Sequence, residues 1–103
     1  VANDFGYDET YARMLEACGR KGDILVGIST SGNSTNVVKA LKKANDIGLT
    51  TIGFTGSKGG EMNSLCDIII KVPSDDTPRI QEVHILVGHI ICQLIEEKMF
   101  PNA

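Results

Sequence analysis

The sequence predicts an α/β domain, an open parallel sheet with helices on both faces. Three observations carry that expectation. Short strand-like runs (24–28, 50–54 and 68–72), the first rich in Ile, Leu and Val, alternate with segments whose apolar residues recur at helical spacing. Such alternation implies right-handed βαβ crossovers. The first run, Ile24 to Ile28, is continuous, as expected of a strand buried on both faces. It ends in a hydroxyl-dense turn, Ser29-Thr-Ser-Gly-Asn-Ser34, from which a helical pattern starts.

The elements follow in order. From about Asp8 to Arg20, Tyr11, Met14, Leu15 and Cys18 fall at helical spacing, and Gly19 or Gly22 can end the segment. After the first strand, Val37, Val38, Leu41, Ala44 and Ile47 form one apolar stripe over 35–47, with Lys39, Lys42, Lys43 and Asp46 on the other side. Gly48 suits the left-handed residue after that helix. A second strand, 50–54, leads into Thr55-Gly-Ser-Lys-Gly-Gly60 and a short helix over 61–65. The third strand, 68–72, is closed by Pro73, and 74–78 reads as a polar loop. The longest helix spans Arg79 to about Phe100, with Ile80, Val83, Val87, Ile90, Ile91, Leu94 and Ile95 apolar. Three strands make a thin sheet, and the chain opens at Val1-Ala-Asn-Asp4 without an initiator Met. Residues 1–103 are therefore expected to be the C-terminal part of a single domain whose N-terminal part is missing.

Composition narrows the function. With 42% hydrophobic and 22% charged residues, the 103-residue chain is ordinary for a soluble globular domain. Its net charge of −3 argues against nucleic acid, whose phosphate backbone demands a surplus of Lys and Arg, but leaves room for one small anion. No apolar run approaches the ~20 residues of a membrane span. Cys18, Cys66 and Cys92 are odd in number and contain no CxxC pair. Buried reduced thiols in a cytoplasmic protein are expected, rather than a disulfide framework or a cysteine zinc site.

Ser29–Ser34 is the first candidate site. A strand that opens through such a turn into a helix aims free N–H groups and the positive helix end at one point, which suits a phosphate. Ser29, Thr30, Ser31 and Ser34 add hydroxyls, and Gly32 permits close backbone approach. Plain helix capping by Ser31, Asn33 or Ser34 is the competing reading. One cap needs one oxygen, however, and this turn offers four hydroxyls and an amide. In the second turn Lys58 could reach a phosphate, although a simple tight turn is the preferred reading of that segment. The long helix carries Gln81, Glu82, His84 and His89. His84 and His89, five apart, point ~140° away from each other, while Gln81 and His89 lie only ~80° apart around the axis but about 12 Å along it. Spacing alone leaves a metal site and hydrogen-bonded core histidines both open. Asn3 and Asp4 are either a loose end or part of a loop lining a site.

Several of these segments, in this order and spacing, resemble one family. They are Asn3-Asp-Phe-Gly6, Gly22 to Ser34, Thr55-Gly56, Arg79-Ile-Gln-Glu-Val-His84 and Gly88-His89. From Val1 to Phe100 the chain is similar to the C-terminal part of bacterial phosphoheptose isomerases, which belong to the sugar-isomerase (SIS) domain proteins. The serine loop alone marks the superfamily, and its combination with Arg-Ile-Gln-Glu and the later His marks this branch. The resemblance implies a flavodoxin-like sheet and conversion of sedoheptulose 7-phosphate to D-glycero-D-manno-heptose 7-phosphate through an enediol, for lipopolysaccharide or surface-glycan precursors. It also implies a cytoplasmic homotetramer with active sites between subunits. By motif, Ser29, Thr30, Ser31 and Ser34 match the phosphate loop, Asn3 and Asp4 match substrate contacts, and Gln81 and His89 match ligands of Zn2+. His89 is thereby expected to be catalytic and Gln81 to reach substrate as well as metal. The family's remaining ligands, a His and a Glu that is also its catalytic base, lie in an N-terminal region not present in this sequence. The segment Asp75-Asp-Thr-Pro78 varies in the family and is given no role. The alternative is a non-catalytic SIS scaffold associating with the replication initiator. Such proteins generally lack the metal-binding His, so His89 favours the enzyme. A third reading, a sugar-phosphate-sensing domain of a transcription regulator, would call for a helix-turn-helix region, and none is visible.

Overall fold

The computed structural model describes residues 7–102, so Asn3 and Asp4 lie outside the described residues. A 3-10 turn at Tyr7–Glu9 leads into helix α1, Thr10–Cys18. Strand β1 is Ile24–Ile28, helix α2 Thr35–Ile47, and strand β2 Thr50–Thr55. A 3-10 helix at Gly60–Ser64 precedes strand β3, Ile68–Lys71, and helix α3 covers Thr77–Met99. The strands are all parallel in the order β1-β2-β3, with Val26 beside Ile52 and Ile52 beside Ile68.

The apolar stripe of α2 makes the core. Leu41, Ala44 and Met62 are fully buried, and Val38 nearly so. Leu25, Val37, Leu65, Cys66 and Ile69 pack around Val38, Leu41 and Met62. Burying each large apolar side chain contributes about 1.5–3 kcal/mol. The stripe ends at Gly48, whose φ of 94° is the left-handed cap expected there. Thr51 N–H donates to the Asp67 carboxylate (2.9 Å) and Asp67 N–H to the Thr51 hydroxyl (3.0 Å), which ties the entry of β3 to β2.

Several expectations are corrected. β1 is buried on one face only: Leu25 and Gly27 meet α2, while Ile24, Val26 and Ile28 stay about half exposed or more. Helix α2 lies on the first face with α1 packed against it, and α3 covers the other only near Phe54. An apolar run specifies that both faces can be buried, not that both are covered. The stripe of α3 is likewise exposed for most of its length; only Ile80 and His84 are buried among its 23 residues. α3 begins two residues earlier than the pattern suggested, because Pro78 fits a first helical turn, where its missing N–H is not needed. None of the three cysteines is buried: Cys18 and Cys92 are exposed and Cys66 is intermediate, all as free thiols. On α1 it is Ala12 that is buried, while Tyr11 and Met14 border an open apolar groove against β1. No helix among the described residues is long and apolar enough to cross a membrane.

Candidate functional site

Because the strands are parallel, the turns after β1 and β2 and the segment after β3 meet at one end of the sheet. In open α/β sheets this is where ligands bind. There a cavity of about 320 Å³ is lined by Thr30, Ser31 and Asn33 from the first turn, Gly56, Ser57 and Lys58 from the second, and Ser74, Asp75, Thr77 and Ile80 from the approach to α3. Its size falls within the range of small-molecule sites.

Within the first turn, Ser29 is the hub. It is buried, and its hydroxyl lies 2.6 Å from the Ser34 hydroxyl and 3.4 Å from that of Ser31. It also accepts from Gly32 N–H at 3.2 Å. Ser34 is the N-cap of α2, yet its side chain makes no capping hydrogen bond. Its hydroxyl faces Ser29 instead, so the plain capping reading does not describe this residue. Ser31 accepts from Asn33 N–H at 3.1 Å, and its side chain is exposed to the cavity.

The second turn is more than a tight turn, since it holds the first in place. Gly56 N–H donates to Thr30 O (3.0 Å), Met62 N–H to Gly32 O (3.1 Å) and Glu61 N–H to the Asn33 side-chain oxygen (2.7 Å). Gly32 has a φ of 72°, and a Cβ there would stand 2.0 Å from Gly59 O. Close approach as well as conformation therefore requires glycine. Lys58 lines the same cavity as Thr30 and Ser31 and brings a cation to its rim. Across from it Asp75 accepts a hydrogen bond from the Ser57 hydroxyl. No local spacing pointed to that pair, whose members lie 18 residues apart.

Gln81 and His89 lie on one helix and face another cavity. They line one of about 510 Å³ with Ile28, Phe54, His84, Ile85, Gly88 and Cys92. Both side chains are exposed, an amide oxygen and an imidazole nitrogen on one helix. That donor set suits zinc, which takes oxygen and nitrogen ligands in four-coordinate sites. Among the described residues no group of three His, Cys, Asp or Glu could hold an ion. His84 is different. It is buried, stacks at a tilt on Phe54 with ring centroids 5.7 Å apart, and sets Nε2 2.9 Å from Thr55 O. Its Nε2 is occupied by the backbone.

Comparison with known proteins gives concordant results. A family model described as SIS domain matches residues 1–56. The phosphoheptose isomerase of Aliarcobacter butzleri is 61% identical over 99 residues, covering 96% of this chain and 52% of that protein. That of Aneurinibacillus thermoaerophilus is 54% identical over 102 residues, covering 99% and 52%. Among solved structures, a phosphoheptose isomerase from Francisella tularensis superposes with a TM-score of 0.90 at 37% identity, covering 94% of this chain and 52% of that one. The protein from Neisseria gonorrhoeae gives 0.88 at 44% identity, covering 91% and 54%. The chain spans about half the length of the curated relatives it matches.

Proposed function

The chain belongs to the SIS domain family, and we propose that it forms part of a phosphoheptose isomerase that converts sedoheptulose 7-phosphate to D-glycero-D-manno-heptose 7-phosphate. The observation that carries this reading is the Ser29–Ser34 loop, with its hydroxyl cluster at a helix N-terminus whose N-cap side chain makes no capping bond. Partial positive charge from α2 and the donors of the loop would hold the dianionic phosphate. That remote binding energy orients the reacting carbons.

Ketose–aldose isomerisation moves a proton between adjacent carbons through an enediol, which calls for a base above the sugar and acid stabilisation of its oxygens. His89 is the residue of this chain assigned to the reacting end, either holding the metal or exchanging a proton with a sugar oxygen, and Gln81 would hold metal and substrate beside it. Zinc, when bound, would supply Lewis acidity toward those oxygens. Further ligands and the base would come from outside residues 1–103, between subunits of a cytoplasmic homotetramer. The product would enter heptose synthesis for surface glycans.

The test is His89→Ala in the intact protein, followed by phosphorus NMR with sedoheptulose 7-phosphate and Zn2+. Turnover should be abolished while affinity for inorganic phosphate stays nearly unchanged. Normal turnover in that variant would remove the assignment.

A further inference from the structure

We infer that His84 is a positioning residue, the pin that sets the height and rotation of α3 and hence the placement of Gln81 and His89 relative to the Ser29–Ser34 loop. The inference rests on the roles proposed above for those two residues.

The geometry converges on one carbonyl. A carbonyl oxygen only accepts, so the imidazole proton lies on Nε2 and is donated to Thr55 O at 2.9 Å. The same oxygen accepts Val72 N–H at 3.0 Å, so both of its lone pairs are engaged. The next residue, Gly56, donates its N–H to Thr30 O at 3.0 Å, inside the serine loop. One backbone junction thus binds the end of β3, the phosphate loop and the long helix.

His84 sits three residues after Gln81 and five before His89 on that helix. Besides His84, only Ile80 anchors α3 by burial. Apolar contact is non-directional, so the directed hydrogen bond is what can fix rotation. A turn of about 20° sweeps a side-chain tip by about 2 Å on a helix 10–12 Å across. Misplacement of about 1 Å can cost roughly a hundredfold in rate.

A space-filling role alone fits poorly. Among the described residues the Nδ1 atom of His84 is buried without a partner. An apolar ring would occupy this place beside Phe54 without that cost. The donor, not the bulk, explains a histidine here.

The experiment compares His84→Phe, which fills the space without a donor, with His84→Gln, whose amide N–H lies the same number of bonds from Cα as Nε2. In the intact protein we would measure kcat and KM for sedoheptulose 7-phosphate, affinity for inorganic phosphate, and Zn2+ affinity by chelator competition. For His84→Phe, phosphate affinity should stay within about twofold while kcat and Zn2+ affinity fall by about 10- to 100-fold, the range typical of lost supporting contacts. His84→Gln should recover most of both. Unchanged kcat and Zn2+ affinity in His84→Phe would overturn the inference, as would a His84→Gln variant no better than His84→Phe. Loss of the fold in His84→Phe would show a general structural role and overturn it too. An unaltered protein that neither turns over the sugar nor binds zinc refutes the function reading itself, an outcome distinct from any difference between variants.

Discussion

Replacing Gly32 by Ala should unseat the phosphate loop, and Gly22→Ala supplies its internal control. Both glycines have left-handed backbones, with φ of 72° and 92°. At Gly22 an added Cβ meets nothing within 4 Å, whereas at Gly32 it meets Gly59 O at 2.0 Å and Gly59 C at 2.4 Å. The backbone penalty for a non-glycine residue in this region is about 1–2 kcal/mol at either site. Gly32→Ala must also push the two turns apart by about an ångström or more to relieve the clash, and such overpacking adds about 1–3 kcal/mol. Gly22→Ala should therefore cost about 1–2 kcal/mol, and Gly32→Ala about 2–5 kcal/mol. The displacement also strains the Met62 N–H bond to Gly32 O, which joins the turns. Urea unfolding of the intact protein gives the stabilities, and calorimetric titration with inorganic phosphate gives the affinity. Gly32→Ala should lose phosphate binding by at least about tenfold, or about 1.4 kcal/mol, while Gly22→Ala keeps it. Equal stability losses in the two variants, or intact phosphate binding in Gly32→Ala, would refute the claim that the glycine turn buttresses the serine loop.

Other outcomes follow from single groups. Ser29→Ala removes the hydroxyl that joins Ser34, Ser31 and Gly32 N–H; it should cost about 1 kcal/mol of stability and weaken phosphate binding, which the same titration reads. The hydrogen bond from Lys39 to Glu9 (2.5 Å), reinforced by the charge of Glu9 and Asp8, holds the Lys39 ammonium above its usual pKa despite a smaller opposing effect of desolvation. A raised folded pKa stabilises below the unfolded value and ceases to do so as pH rises through the folded one. Glu9→Gln should therefore lower Tm at neutral pH, with the two melting curves converging in strong alkali. Burial, with a smaller contribution from Asp67, raises the Cys66 thiol pKa. Iodoacetamide followed by mass spectrometry should label the exposed Cys18 and Cys92 before Cys66.

The elements were legible in the sequence because their signals are local. The α2 stripe needs only the 3.6-residue repeat, β1 only its apolar run, and Gly48 only its place after the last apolar residue. The serine loop was legible for the same reason, since strand, hydroxyl turn and helix start are contiguous. Periodicity reports which residues are apolar without saying what covers them. The exposed face of β1 and the bare stripe of α3 were therefore misjudged. The thiols were misjudged likewise, because average burial of a residue type says nothing of one site.

By itself the sequence determined the strand–helix order, the parallel sheet and the hydroxyl loop at its carboxyl end. Only the tertiary structure decided how that loop is held. Asn33 finds Glu61 N–H 28 residues on, and Gly32 fits under Gly59. It also separated the two histidines. His84 is taken by a carbonyl 29 residues away, while His89 is exposed and lines the same cavity as Gln81. These pairings join residues far apart in the chain, and no local spacing encodes them. They exist because the crossovers bring separate turns to one edge of the sheet, where buried donors and acceptors must find partners.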